Sequence, residues 1–213
     1  MDGEKMDQSV NIGDLHPTQL TLGLSEVRAR AKAMRSSSAD DLNKLLASKP
    51  VPHVVGPHGR IYIIDHHHLC RALLEAGYER VILGTRLEDW SDLDLKSFWG
   101  RMEAHSYCWP IDVNGNRRPF SKIPPHVREL TDNPWRTIAR SVRGEAYSNE
   151  DTPFQEFKWG DYYRSFMTPR LLECDIEMAR ELAVKLSRNE EAQDLPGYLG
   201  RGGARSRKAK ART

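Results

Sequence analysis

Short apolar runs alternate with amphipathic stretches in the first part of the chain. Residues 51–55 and 60–64 have the apolar, β-branched character of strands, and the Gly-Pro-His-Gly sequence between them predicts a hairpin turn. Apolar residues then recur at helical spacing over residues 69–76, and Gly77 is a natural stop for this helix. The pattern therefore predicts a β-hairpin that leads directly into a helix.

Further elements flank this hairpin and helix on both sides. Residues 10–15 predict a short strand, residues 26–34 a helix with Ser25 as its N-cap, and residues 40–48 a second helix. Residues 80–85 predict the closing strand. The predicted order is strand, helix, helix, hairpin, helix, strand, which is a compact α/β unit.

Beyond Trp90 the pattern becomes helical and aromatic. Residues 109–120 predict a loop or loose hairpin with Asn114-Gly115 at its turn. Helices are predicted over residues 91–104 with Ser91 as the cap, 126–130, 134–142 with Pro134 in the first turn, 153–166, and 171–188.

These elements predict an α+β protein with four segments. Residues 1–11 are expected to form a disordered N-terminus, residues 12–88 the α/β domain, and residues 89–188 a helical extension of it. Residues 189–213 are expected to be a disordered basic tail.

Composition limits the possible classes of protein. The chain has 213 residues, with 38% hydrophobic and 29% charged, and its net charge of +2 is too small to indicate nucleic-acid binding by itself. No apolar run reaches the roughly 18 residues of a membrane helix. The N-terminus lacks the apolar core of a signal peptide. Three scattered cysteines favour reduced thiols, so we expect a cytoplasmic protein that does not enter a membrane.

The junction between the hairpin and its helix concentrates polar side chains. Asp65, His66, His67 and His68 follow the strand in a row and open the helix. Two rigid elements hold such a junction, and the N–H groups of a first helical turn point outward there. Because this arrangement suits an anion, we predict a binding site at the junction, with phosphate as its first ligand class.

Three motifs in order resemble the ParB/sulfiredoxin superfamily, and within it the group called ParB-like nuclease. They are His16-Pro17-Thr18-Gln19 with Gly23 and Glu26-Val27, the hairpin over residues 51–64, and Asp65-His66-His67-His68-Leu69. Together they cover residues 10–86. Asn133-Pro134-Trp135-Arg136 and Phe157-Lys158-Trp159 also resemble the extension that this group carries.

The resemblance implies a fold used for nucleotide and phosphate chemistry, in which the strand-to-helix loop holds phosphates. A nucleoside tri- or diphosphate with magnesium is the expected ligand. The loop departs from the superfamily in three places: His66 replaces the usual Gly, Leu69 replaces the usual Arg, and His67 stands where sulfiredoxins have their nucleophilic Cys. The last departure excludes sulfiredoxin activity, and Arg60 is one candidate for the missing positive charge.

Catalytic roles are predicted for Glu26, Asp65 and His67. By resemblance Glu26 is the general base, and Asp65 orients a histidine or holds a hydrated magnesium ion. Contacts to the nucleotide are predicted for Thr18, Gln19, His66, His67 and His68. The alternatives are that the histidines cap the helix or chelate a transition metal, that Glu26 stabilises a helix N-terminus, and that Thr18 and Gln19 only shape their loop.

Two functions remain open at this point. The first is a nucleotide-dependent enzyme of phosphoryl transfer or phosphodiester hydrolysis. The second is a non-enzymatic, DNA-associated accessory of the partition type, because residues 201–212 carry six Lys or Arg and no acid. Arg136, Arg140 and Arg143 form a stripe that either faces nucleic acid or is solvated, and the aromatic residues within 154–166 are spaced for a core. No oligomeric state follows from the sequence.

Overall fold

The structure is a computed structural model that describes residues 9–200. The chain divides into two compact units, the first ending at Asp132 and the second beginning at Asn133. This division differs from the predicted one, which began the helical extension at residue 89. Residues 89–132 belong to the first unit, since their aromatic side chains complete its core.

The predicted order of helix, helix, hairpin, helix and strand is confirmed, whereas the single strand predicted over residues 10–15 is wrong. A 3₁₀ turn at Ile12–Asp14 divides it into two short strands, and a third strand follows before the first helix. In chain order the unit contains β1 (Ser9–Asn11), β2 (Leu15–His16), β3 (Thr21–Leu22), α1 (Leu24–Arg35), α2 (Ala39–Ser48), β4 (Val51–Gly56), β5 (Arg60–Ile63), α3 (His67–Ala76), β6 (Arg80–Asp89), α4 (Leu95–Ala104) and β7 (Thr131–Asp132). This mixture of helices and sheet confirms the predicted α+β class.

Five strands form a mixed sheet in the order β1-β6-β4-β5-β2. The predicted hairpin is the antiparallel pair β4 and β5, in which His53 lies opposite Ile63. β6 runs parallel to β4, and β2 runs parallel to β5 with His16 opposite Tyr62. β3 and β7 form a separate parallel pair. β5, at whose end the predicted site begins, therefore lies one strand in from the β2 edge of the sheet.

The two faces of the large sheet bury different cores. Val27 of α1 and Leu73 of α3 pack in one cluster with Ile63 of β5. Tyr62 of the same strand packs on the other face, against Phe98 of α4. Successive residues of a strand point to opposite faces, so β5 contributes to both cores.

The helical stop at Gly77 is confirmed, whereas two predicted N-caps are wrong. Gly77 has φ +91° and ends α3 in the left-handed region that glycine adopts without steric cost. Gly23 precedes α1, and α1 starts before Ser25 because the Val27 N–H already donates to the Gly23 carbonyl at 3.2 Å. Asp94, instead of Ser91, caps α4 by accepting from the Ser97 N–H at 2.9 Å.

The predicted disorder of residues 1–11 is wrong for Ser9–Asn11. These residues form β1, which pairs antiparallel with β6 and completes one edge of the sheet. An isolated polar strand has little local signal, and it is the exposed edge of β6 that orders it. Residues 1–8 lie outside the described part of the chain.

The second unit is helical, as predicted. It contains α5 (Pro134–Val142), α6 (Gln155–Arg164), α7 (Pro169–Cys174) and α8 (Ile176–Leu186). The helix predicted over residues 171–188 is two helices, because the Asp175 side chain accepts from the Met178 N–H and starts a new one. Gly160 allows α6 to approach α5 closely, since a Cβ there would lie 2.9 Å from the Trp135 carbonyl.

The aromatic residues of α6 build the core of the second unit, as predicted. Trp159 is fully buried, stacks on Tyr147 with 4.5 Å between ring centroids, and donates from Nε1 to the Pro196 carbonyl at 2.8 Å. The prediction of disorder from residue 189 is therefore wrong for residues 189–200, which contribute buried contacts such as Ala192. Residues 201–213, and with them the basic segment 201–212, lie outside the described part of the chain.

The predicted arginine stripe of α5 is directed into the second unit. Arg136 is 8% exposed. Arg143 pairs with Glu156 of α6 at 2.7 Å, and Arg140 lies 3.9 Å from the same carboxylate. Arg143 and Arg140 therefore tie α5 to α6. None of the helices within residues 9–200 has the length and apolar character needed to cross a bilayer.

Candidate nucleotide site

The helices α1 and α3 lie side by side and point in the same direction. At one end, Nε2 of His68 accepts a hydrogen bond from the Gly23 N–H at 2.9 Å, next to the start of α1. At the other end, Arg35 donates from Nη1 to the Glu75 carbonyl at 2.9 Å. The N-termini of both helices therefore meet at one place, and their dipoles together favour a negative charge there.

The loop between β5 and α3 reaches this place through an unusual backbone conformation. His66 has φ +65° and ψ +18°, in the left-handed region that costs a residue with a side chain roughly 1–2 kcal/mol. This is the position at which the resembling superfamily usually has Gly. Asp65 stabilises the turn, because its Oδ1 accepts from the His66 N–H at 2.6 Å. Its side chain stays 73% exposed.

His67 points inward and forms a hydrogen bond with the segment around Thr18. Its side chain is buried, and its Nε2 accepts from the Thr18 N–H at 3.2 Å, which assigns the ring proton to Nδ1. Burial lowers the pKa of His67 to about 4, so the imidazole is neutral at physiological pH. The Thr18 hydroxyl in turn donates to the Ile63 carbonyl at 2.8 Å.

Gln19 and His68 also form contacts within the protein. The buried Gln19 donates from Nε2 to the Thr21 carbonyl at 2.7 Å. His68 is half-buried and holds Gly23 as described. The three consecutive histidines thus point in three directions, because successive helical residues are rotated by about 100°.

Two cations from other elements lie near the loop. Burial lowers the pKa of His66, the Asp65 carboxylate opposes that shift, and the positive charges of Lys49 and Arg30 add to it. Arg30 also pairs with Glu26 on α1, at 2.7 Å. These two side chains supply positive charge where Leu69, buried in the core, does not.

Arg60 does not replace the missing arginine. It begins β5, whereas the loop follows the other end of that strand, and its charge acts on His16 instead. Nothing in the sequence marked Lys49 as part of this site, because a lysine between a helix and Pro50 resembles an ordinary surface lysine.

The sequence also gave no indication of Asp132. Its Oδ1 accepts from the Leu24 N–H at 2.8 Å, so a carboxylate caps α1 from a position 108 residues away in the chain. Arg71 of α3 holds the preceding segment in place by donating to the Leu130 carbonyl at 3.0 Å. The pairing of β3 with β7 brings Asp132 next to the start of α1.

The predicted site residues therefore fall into two groups. Glu26, Asp65, His66 and His68 lie at or near the shared N-terminal end of α1 and α3. Thr18, Gln19 and His67 are buried, and the hydrogen bonds described above are internal. Their roles as direct ligand contacts remain predictions.

The donor set fits a magnesium ion that arrives with phosphates. Within residues 9–200 no group of three or more His, Cys, Asp or Glu is placed to hold a metal ion. Mg²⁺ is commonly bound by one or two carboxylates with substrate phosphates and water completing its octahedron. The exposed carboxylate of Asp65 suits that mode of binding.

Comparison with known proteins adds a family and two structures. Residues 8–165 match the family model described as "Putative ParB-like nuclease". The crystal structure of protein Atu1540 from Agrobacterium tumefaciens is similar with a TM-score of 0.80 and 33% identity, over 91% of this chain and 97% of that one. The C-terminally truncated chromosome-partitioning protein ParB from Caulobacter crescentus, complexed to the centromeric parS site, gives a TM-score of 0.30 and 14% identity, over 84% of this chain and 98% of that one. No curated protein matches the chain.

Proposed function

Because the chain belongs to the ParB-like nuclease family, we propose that the β5–α3 loop binds the phosphate groups of a nucleotide with magnesium and supports phosphoryl transfer or phosphodiester hydrolysis. The observation that carries this proposal is the meeting of two parallel helix N-termini at the left-handed turn of His66. The first turn of α3 directs its backbone N–H groups at this point, and both helices direct their positive dipole ends there. At the start of α1 the N–H groups of Gly23 and Leu24 already donate to His68 and to the Asp132 carboxylate.

The phosphates are held by the backbone of the first turn of α3 and by cations. The N–H groups of His67 and Leu69 precede the first helical hydrogen bond, from Cys70 to His66. Arg30 and Lys49 add charge from α1 and from the residue after α2. Because Arg30 also pairs with Glu26 at 2.7 Å, Lys49 is the main substitute for the arginine that Leu69 replaces.

The chemistry rests on two carboxylates. Asp65 would hold a hydrated magnesium ion, which would supply positive charge to the transferred phosphoryl group. Glu26 removes a proton from the attacking hydroxyl or water, while Arg30, 2.7 Å away, holds its carboxylate in place. Thr18, Gln19 and His67 keep the loop in shape through their internal hydrogen bonds.

Calorimetric titration of the full chain with ATP, CTP and GTP, with and without magnesium, tests the binding. One nucleotide is expected to bind, and Lys49→Ala is expected to weaken its binding by about 13-fold, since a charged hydrogen bond contributes about 1.5 kcal/mol. Lys185→Ala, an exposed lysine on α8, is the matched control. If no nucleotide binds, or if both variants bind alike, the loop is not the phosphate site.

Measuring turnover distinguishes the role of Glu26 as general base from the roles of the groups that bind the nucleotide. Glu26→Gln is expected to keep nucleotide affinity within about threefold and to lower the rate of hydrolysis or transfer about 100-fold or more. Asp65→Asn is expected to weaken the magnesium dependence of binding. A Glu26→Gln variant that turns over as fast as wild type would remove Glu26 from the mechanism.

A further inference from the structure

The face of the sheet opposite α3 carries a row of five rings. The aromatic row consists of Phe120, Trp99, Tyr62, His16 and His126. Neighbouring ring centroids along it lie 5.2, 5.6, 5.2 and 6.4 Å apart. All five residues belong to the first unit, and His16 and Tyr62 are register partners on β2 and β5.

The row is only partly used by the core. Phe98 and Trp90, beneath it, are buried and supply the apolar core on this face. Trp99 and Phe120 stack on each other at an interplanar angle of 6° and remain half-buried, while His126 is exposed. Ring surface at both ends of the row is therefore left open to solvent.

Cations lie beside the row. Residues 116–128 carry four Lys or Arg and no Asp or Glu, although Arg117 pairs with Glu103 of α4 and Arg118 with Asp112. Lys122 is exposed in the same 3₁₀ turn as Phe120. The exposed Arg60 lies near His16: burial is the main cause that lowers the pKa of His16, and the charge of Arg60 lowers it further. Neither cation forms an ion pair with residues 9–200. Arg117 lies over the Phe120 ring, with Cζ 5.4 Å from its centroid.

From this combination we infer that the aromatic row binds single-stranded nucleic acid, with bases stacked on Phe120 and Trp99 and backbone phosphates at Lys122 and Arg60. Every base has an aromatic face that can stack on such rings, and cations beside them follow the sugar-phosphate backbone. A duplex hides its base faces, so the row favours an unpaired strand of DNA or RNA.

The row and the nucleotide loop are separate surfaces of the first unit. Tyr62 and Ile63 point to opposite faces of β5, and α3 packs on the Ile63 face. Strand binding at the row therefore does not depend on nucleotide binding at the loop, and each can be measured while the other is intact.

Fluorescence anisotropy of labelled 15-residue oligothymidylate and oligouridylate, at low salt and with the full chain, tests the inference. Phe120→Ala is expected to weaken binding about 5- to 150-fold, the range for loss of one base stack. Lys122→Glu is expected to weaken it and to reduce the salt dependence by about 0.7 in the slope of log affinity against log salt. Unequal affinity for the two oligonucleotides identifies DNA or RNA as the preferred strand.

Two matched control variants and a truncation of the C-terminal residues complete the experiment. Phe166→Ala and Lys185→Glu change an exposed ring and an exposed lysine of the second unit and are expected to bind as wild type. In a chain that ends at Gly200, Phe120→Ala is still expected to weaken binding of the oligonucleotide. The inference is overturned if Phe120→Ala and Lys122→Glu bind like wild type, or if removing residues 201–213 abolishes all binding. Calorimetry with nucleotides, expected unchanged in both row variants, shows that the loop is unaffected.

Discussion

The burial of His67 makes the stability of the first unit depend on pH. Its Nε2 is the acceptor for the Thr18 N–H, and burial lowers the pKa of the ring to about 4. As the pH falls below about 6.5 an unfolded chain takes up a proton on this histidine, whereas the folded protein does so only near pH 4. The contribution of His67 is therefore fully present above about pH 6.5 and is lost as the pH falls towards 4.

The size of this effect follows from the same values. A tenfold change in proton affinity is worth about 1.4 kcal/mol, so a pKa lowered from 6.5 to about 4 changes stability by roughly 3 kcal/mol in all, and by about 2 kcal/mol at pH 5. His67→Gln removes the titration and keeps an acceptor for the Thr18 N–H. His67→Leu removes both and is expected to cost about 1–3 kcal/mol at pH 7.5, since the buried N–H loses its partner.

Urea unfolding at pH 7.5 and at pH 5.0 measures these differences. The loss of stability between the two values is expected to be about 2 kcal/mol smaller in His67→Gln than in wild type. Comparison with wild type also removes the contributions of His16, His53 and His66, whose pKa values are lowered by burial as well. His58→Asn, an exposed change at a left-handed position that Asn tolerates, is the control. If His67→Gln loses as much stability as wild type, His67 is not buried as described.

Three further substitutions test the packing. Gly56→Ala places a Cβ 2.6 Å from Cε2 of Phe98 and is expected to lower the free energy of unfolding by about 1–3 kcal/mol in urea titration; an unchanged midpoint would contradict the close approach of α4. Gly160→Ala, 2.9 Å from the backbone of α5, is expected to cause a similar loss of thermal stability, whereas Gly100→Ala in open space is expected to stabilise α4 by about 0.5–1 kcal/mol. Asp132→Ala removes the cap of α1 and is expected to lower the free energy of unfolding by about 0.5–2 kcal/mol. Asp132→Asn keeps an acceptor and is expected to be closer to wild type at low salt. Equal losses of stability in both variants would assign the effect to the charge of Asp132 instead of its hydrogen bond.

Local patterns were sufficient for most elements of the first unit. The hairpin of β4 and β5 and the helix ending at Gly77 follow from apolar periodicity and from a residue that suits the left-handed region. The same information placed Asp65 at the start of the site. Periodicity is a property of neighbouring residues, so a single sequence carries it directly.

Helix starts and chain ends were predicted less well. Ser25 and Ser91 are suitable caps by residue type, but Gly23 and Asp94 precede the helices. Residues 9–11 and 189–200 have weak local signals and are ordered by partners far along the chain, such as β6 and Trp159. Local propensity does not contain those contacts.

The sequence alone determined the order of elements, the family motifs and the position of the polar loop after β5. Only the tertiary structure decided what each side chain of that loop does. His67 turns inward to Thr18 and His68 reaches Gly23, because α1 packs parallel to α3. The positive charge beside His66 comes from other elements, from Arg30 of α1 and from Lys49, the residue after α2. Side-chain direction and charge at a site depend on which elements pack together, and that packing is set by contacts between residues distant in the sequence.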